Sequence, residues 1–106
     1  MNNKLKAVLI ECSDIMLNGI MLKIAESEDV EITEKISGIE HISEFPSDDN
    51  NDIILIGPMF CDIYGTEVCN KITARFPKKK TLTLSYEDYS SNIIDKIKEF
   101  SNGAEI

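Results

Sequence analysis

Ile53-Ile54-Leu55-Ile56-Gly57-Pro58 is the stretch of sequence that decides the fold of this chain. Four consecutive aliphatic residues form a short run of the length of a β-strand. Because no position in the run is polar, both faces of the strand must be covered, as in a parallel sheet. Gly57-Pro58 then ends the strand. The stretch predicts a strand that is buried on both faces of the sheet and whose carboxyl end lies at Gly57.

Three further segments have strand character. Residues 7–10 form a second continuous apolar run, and residues 81–84 form the last strand of the series. Val30 and Ile32 are separated by Glu31, and this alternation predicts an outer strand with a more exposed face. The sequence therefore predicts four strands.

Apolar residues at helical spacing follow each strand. They predict helices over residues 15–25, 39–45, 66–75 and 92–100. Four strand–helix units in series imply right-handed crossovers, and hence an α/β fold with a parallel sheet and helices on both faces. At 106 residues, the chain is expected to form one domain, residues 1–106.

Composition argues against several classes of function. The formal net charge of −8 disfavours a nucleic-acid-binding surface, which needs clustered Lys and Arg. No segment approaches the roughly 20 apolar residues that span a bilayer. Three cysteines without paired spacing fit reduced thiols, and Cys61 and Cys69 lack the spacing of metal ligands. We therefore expect a cytoplasmic protein without membrane contact, metal or cofactor.

In parallel α/β sheets the functional site lies outside the carboxyl ends of the strands. Cys12, at the first of these ends, is either a small buried hydrophobe or a reactive thiolate. Asp14 is expected to be the N-cap of the first helix. Gly57 has two explanations that can both hold: a sharp backbone turn before Pro58 and the loss of a functional side chain. The strand ends carry residues 11–13, Lys35, residues 57–59 and residues 85–87.

The order and spacing of several segments resemble a known family, the response-regulator receiver domains, in particular those of the LuxR/NarL type. The resemblance implies a flavodoxin-like topology in which Ile106 comes before the last strand and helix of that family. It covers nearly the whole chain. The segments that carry it are residues 5–11, 26–32, 51–56, 62–69, 76–77, 82–85 and 102–104.

Receivers of that family are phosphorylated on an Asp of their own, after the third strand. Two acidic residues hold Mg²⁺, and a Ser or Thr and a Lys bind the phosphoryl group. By resemblance, Gly57 stands at the acceptor position, and Glu11 and Cys12 stand where the acidic pair would be. Ser85 fits the hydroxyl position, or it caps the loop after its strand. The degenerate site Glu11, Cys12, Gly57 and Ser85 thus predicts no catalytic residue and no bound metal.

The resemblance implies a pseudo-receiver, a regulatory domain that is not phosphorylated and is not an enzyme. It would act through a protein partner or self-association in signal transduction or transcription regulation. Because the chain is acidic, DNA would be contacted only through a separate output domain.

A second reading stays open. The chain is also similar to the IIB components of lactose/cellobiose-type sugar phosphotransferase systems, which have four strands and a phosphorylated Cys after the first. Cys12 lies at that place. However, the residues after Cys12 lack the Gly and hydroxyl cluster that cradles a phosphate, and Asp14 would repel the phosphoryl group.

Overall fold

The structure is a computed structural model that describes residues 4–38, 52–75 and 80–101. Within these ranges strands and helices alternate along most of the chain. The elements are β1 (Leu5–Ile10), α1 (Asp14–Ala25), β2 (Val30–Ile36), β3 (Ile53–Ile56), α2 (Pro58–Arg75), β4 (Lys80–Thr83), α3 (Tyr86–Ser90) and α4 (Ile93–Ser101).

The four strands of the described residues form one parallel sheet in the order β2-β1-β3-β4. This confirms the predicted α/β class. The order equals that of the first four strands of a flavodoxin-like sheet, an arrangement that hosts many unrelated functions. β2 lies at an edge, as its alternating pattern predicted. At a bulge in β2, the hydroxyl of Thr33 donates a hydrogen bond to the carbonyl oxygen of Ala7 at 3.2 Å.

The strand side chains alternate between two separate hydrophobic cores, because successive residues of a strand point to opposite faces of the sheet. α1 and α4 cover one face and α2 covers the other. The first core contains Ala7, Leu9, Ile53, Leu55, Leu17, Ile20, Ile24, Ile93 and Ile97. The second contains Val8, Ile10, Ile54, Ile56, Phe60, Cys69 and Ile72.

The helix after β3 differs from the prediction. It begins at Pro58, seven residues before Gly65, and it is broken at Gly65, whose φ of 88° and ψ of 169° are not helical. Proline suits the first turn of a helix because its missing N–H is not needed there. Sequence periodicity detected only the part of α2 that follows the break.

One other difference concerns a short segment. α3, Tyr86–Ser90, was not predicted, because five residues are too few to show helical periodicity. The predicted helix over residues 39–45 lies outside the described residues.

The face on which α4 packs shows whether α4 could connect β4 to a further strand. α2 connects β3 to β4 on the second face, so a right-handed connection to a further strand beyond β4 would also place its helix on that face. α4 instead packs on the first face, beside α1. Within the described residues the sheet therefore ends at β4. No helix in those ranges has the length and apolar character needed to cross a membrane.

Candidate functional site

Glu11 is the central residue at the carboxyl ends of the strands. It directly follows β1, and its side chain is fully buried. Oε2 accepts a hydrogen bond from the N–H of Ser13 at 3.0 Å, and Oε1 accepts one from the N–H of Met59 at 3.1 Å. A buried carboxylate is tolerated only with such donors. Glu11 thus joins the residues that begin α1 and α2.

Gly57 leaves the space that this carboxylate occupies. A Cβ built on Gly57 would overlap Oε1 of Glu11 and would lie 2.8 Å from Cδ and 3.0 Å from Cβ of the same residue. Among the described residues the glycine with positive φ is Gly65, so a left-handed turn does not explain Gly57. The need for glycine at position 57 is therefore one of space. A sharp backbone turn before Pro58 stays a prediction beside it.

Glu11 and Gly57 together act as the N-cap of α2. Gly57 holds the N-cap position, since its carbonyl accepts from the N–H of Cys61 at 3.3 Å, but it has no side chain to satisfy the next free donor. The carboxylate of Glu11 satisfies the N–H of Met59 in its place. A polar side chain at an N-cap normally does this locally. Both carboxylate oxygens are therefore engaged by backbone donors.

Ser13, and not Asp14, is the N-cap of α1, which corrects the prediction. Its Oγ accepts from the N–H of Met16 at 3.3 Å, and its carbonyl accepts from the N–H of Leu17 at 2.8 Å. Asp14 is the first helical residue and is exposed. The two residues are adjacent and both are common N-caps, so the pattern alone did not separate them.

Cys12 lies between Glu11 and Ser13 and is half-buried against the second core. Burial and the negative charge of Glu11 raise the pKa of the Cys12 thiol. The thiolate, which is the nucleophilic form, is therefore disfavoured. The backbone N–H groups of Ser13, Met16 and Leu17 already have acceptors within the protein.

Ser85 lies at the same end of the sheet but has a local task. Its Oγ accepts from the N–H of Asp88 at 3.0 Å, and its own N–H donates to Oδ2 of Asp88 at 2.9 Å. This reciprocal pair is a capping box at the start of α3. The structure brings Glu11, Cys12 and Gly57 together, whereas Ser85 is engaged in its own cap. Lys35 is an exposed residue of the edge strand.

Tyr86 and Asp62 form a contact that the sequence did not indicate. The hydroxyl of Tyr86 donates to Oδ2 of Asp62 at 2.6 Å and lies 2.9 Å from Sδ of Met59. The hydrogen bond to Asp62 is the main cause that raises the pKa of Tyr86 to about 12. This contact ties the start of α3 to the start of α2. Its only sequence signal was the position of Tyr86 just after a strand end.

Exposed apolar side chains occur in the first two turns of the helices that begin here. Ile15 of α1 is 87% exposed, Ile63 of α2 is 59% exposed, and Tyr86 of α3 is 44% exposed. Exposed carboxylates accompany them at Asp14, Asp62 and Glu87. We call these residues, 14–15, 62–63 and 86–87, the carboxyl edge. It combines exposed apolar side chains with acidic groups.

A shallow groove lies at the opposite end of the sheet. It is formed by the last turn of α1 and the start of β2 and is lined mainly by Met21, Ile24, Val30 and Ile32. The groove lining contains no Cys, His, Ser–His pair or paired carboxylates that would support chemistry. Among the described residues, no group of three or more His, Cys, Asp and Glu is arranged to hold a metal ion.

Comparison of the chain with protein-family models, with curated proteins and with solved structures found no match. The receiver resemblance and the IIB similarity therefore stay predictions.

Proposed function

We propose that this chain is a pseudo-receiver, a regulatory domain that acts through protein contacts and carries out no phosphoryl transfer. The observation that carries the proposal is the Glu11 carboxylate in the space beside Gly57. A phosphoryl acceptor there would need a side chain at position 57, and Glu11 leaves no room for one. Glu11 itself is buried, with each oxygen bonded to a backbone N–H, so it is poorly placed to attack a phosphoryl donor.

The carboxyl edge is the surface that we propose for partner binding. Its apolar side chains, Ile15, Ile63 and Tyr86, are exposed beside carboxylates in a chain with a net charge of −8. The complementary partner is a protein segment that presents basic and apolar side chains. DNA would be reached only through a separate output domain. The setting would be cytoplasmic, which agrees with the three free cysteines.

The absence of phosphoryl transfer is tested by incubation with acetyl phosphate and Mg²⁺, followed by intact-mass measurement. We expect the mass to stay unchanged. A hydroxylamine-sensitive phosphate on any Asp or Glu would contradict the proposal, because acyl phosphates are cleaved by hydroxylamine.

The binding surface is tested by calorimetric titration with a synthetic amphipathic peptide of Leu and Lys. We expect binding that weakens with salt and is lost in the Ile63→Ser variant. A matched peptide of Leu and Glu should not bind. Equal binding of the Leu-Lys peptide by wild type and by Ile63→Ser would contradict the assignment of the surface. Ile63 is exposed, so its replacement should leave the fold intact.

A second candidate function, that of a IIB phosphotransferase component, is favoured by one observation. Cys12 lies at the carboxyl end of β1, just before the N-terminus of α1, in a sheet that ends at its fourth strand within the described residues. Against it stand the raised pKa of Cys12, the adjacent carboxylate of Glu11, and the N–H groups of Ser13 and Met16, which already have acceptors. These features make Cys12 a poor phosphoryl acceptor.

The two candidates are separated by incubation with a phosphorylated phosphocarrier protein of a sugar phosphotransferase system. The pseudo-receiver proposal predicts that the mass of the chain does not change. A phosphate on Cys12, absent in the Cys12→Ser variant, would overturn the proposal in favour of the IIB function.

A further inference from the structure

Cys61 and Cys69 form a close pair of thiols inside α2. Their Sγ atoms lie 3.0 Å apart, although the residues are eight positions apart. In a straight α-helix, eight residues correspond to a rise of about 12 Å along the axis. The break at Gly65, with φ of 88° and ψ of 169°, folds the two parts of the helix toward each other. The kink therefore creates a contact that a regular helix would forbid.

The surroundings of the two sulfur atoms differ in access. Cys69 is 7% exposed and belongs to the second core, whereas Cys61 is only half-buried at the rim of that core. A disulfide bond needs sulfur atoms about 2.05 Å apart, so the thiols have about 1 Å left to close. A small reagent can reach Cys61 first, and Cys69 is then within reach of the modified sulfur.

We propose that Cys61 and Cys69 are a reversible dithiol–disulfide pair that locks the two parts of α2 together across Gly65. The oxidant is a small disulfide such as oxidised glutathione. The Cys61 thiolate attacks one sulfur of the oxidant, forms a mixed disulfide and expels one glutathione thiolate, which takes up a proton. The Cys69 thiolate then attacks the Cys61 sulfur and expels the second. In total, two protein thiols are oxidised to one disulfide and one oxidised glutathione is reduced to two thiols.

The reaction is slow at neutral pH. Burial and the hydrogen bond with Cys69 raise the pKa of the Cys61 thiol to about 12. Only the thiolate attacks. As long as the pH is below that pKa, the rate of the first step therefore rises about tenfold with each unit of increasing pH.

The disulfide would act on the carboxyl edge through α2. The part of α2 before Gly65 carries Met59, which bonds Glu11, and Asp62, which bonds Tyr86. The part after Gly65 is anchored in the second core by Cys69 and Ile72. A covalent link between the parts fixes the orientation of Asp62 and Ile63 relative to the sheet.

The test uses the full chain with Cys12→Ser, which removes the third thiol. After incubation with excess oxidised glutathione, intact-mass measurement without reductant should show the loss of two hydrogen atoms and no added glutathione. Alkylation should find no free thiol, and peptide mapping should join Cys61 to Cys69. Dithiothreitol should restore both thiols.

Matched variants decide whether the pair and the kink are both needed. In the Cys12→Ser background, Cys61→Ser and Cys69→Ser should each stop at a glutathione adduct or stay unmodified. Gly65→Ala should slow disulfide formation about tenfold or more, because an l-residue disfavours this φ and lowers the effective concentration of one thiol near the other.

Three outcomes would overturn the proposal: a stable glutathione adduct at Cys61 in the Cys12→Ser chain, a disulfide between two chains, or an undiminished rate in Gly65→Ala. Circular dichroism checks that each variant is folded. If the variant of the buried Cys69, Cys69→Ser, does not fold, the Cys12→Ser chain and its Cys61→Ser derivative still show whether the disulfide forms.

Discussion

α1 and α2 begin side by side at the same end of the sheet, yet their first turns are stabilised in opposite ways. α1 is capped by Ser13, the residue directly before it. α2 begins with Gly57-Pro58, which offers no capping side chain, and receives the carboxylate of Glu11 from 48 positions earlier. The first cap is a property of the local sequence, and the second exists only after β1 and β3 have paired.

This difference decides what fills the space beyond the strand ends. A local cap leaves the space beyond the strand ends open. The long-range cap instead places a buried carboxylate in that space and ties its oxygens to the starts of both helices. The cap of α2 and the lack of room for a side chain at position 57 therefore have one cause.

The most severe change to the long-range cap is Gly57→Asp. The new Cβ would overlap the Glu11 carboxylate, and a second carboxylate would be buried beside it. We expect the free energy of unfolding to fall by at least about 3 kcal/mol. Urea unfolding measures the loss. Glu11→Ala in the same chain should recover part of it, and the absence of any recovery would contradict the steric account.

Removal of the charge at Glu11 should have the next largest effect. In Glu11→Gln, the amide NH₂ must face the N–H of either Ser13 or Met59. One hydrogen bond is therefore replaced by a contact between two donors. We expect a loss of about 2 kcal/mol in urea unfolding. The control is Glu31→Gln on the exposed side of β2, which should change stability by less than about 0.5 kcal/mol. Equal effects of the two variants would refute the role of Glu11.

The local cap should matter less. Ser13→Ala removes the acceptor for the N–H of Met16 and should cost about 1 kcal/mol. Asp14→Ala should cost about 0.5 kcal/mol or less, because Asp14 contributes only through the helix dipole. Thermal unfolding of both variants distinguishes them. A larger effect for Asp14→Ala would mean that the cap had been assigned to the wrong residue.

The smallest expected effect concerns the contact between the starts of α2 and α3. The hydrogen bond to Asp62 raises the pKa of Tyr86 to about 12 in the folded chain. Its stabilising contribution is therefore fully present below the ordinary pKa of tyrosine and is lost as pH rises through about 12. Absorbance titration of the phenolate should show a lower pKa for Tyr86 in Asp62→Asn, with Tyr86→Phe identifying its signal. An unchanged titration curve would argue against the contact.

Much of the fold follows from local sequence. The apolar runs of β1 and β3 are too uniform to be surface segments, and the periodicity of α1 is long enough to define a helix. The stop at Gly57 was also correct, since β3 ends at Ile56. These features depend on neighbours along the chain, which the sequence displays directly.

The parts that the sequence did not predict depend on distant contacts or on single dihedral angles. The role of Glu11 requires the register between β1 and β3, which places Ile10 beside Ile56. The contact of Cys61 with Cys69 requires the backbone at Gly65 to leave the helical region. Spacing along the chain could not indicate either one, because both are set by three-dimensional proximity.

The fit between Glu11 and Gly57 also limits how this chain can evolve. An aspartate at position 57 would arise in a protein where Glu11 already fills its space, whereas loss of Glu11 first would leave the N–H groups of Ser13 and Met59 without their acceptor. Each order of substitution passes through a less stable intermediate. Selection against that intermediate would make an aspartate at position 57 difficult to acquire, so the substitutions open to each position depend on the residue at the other.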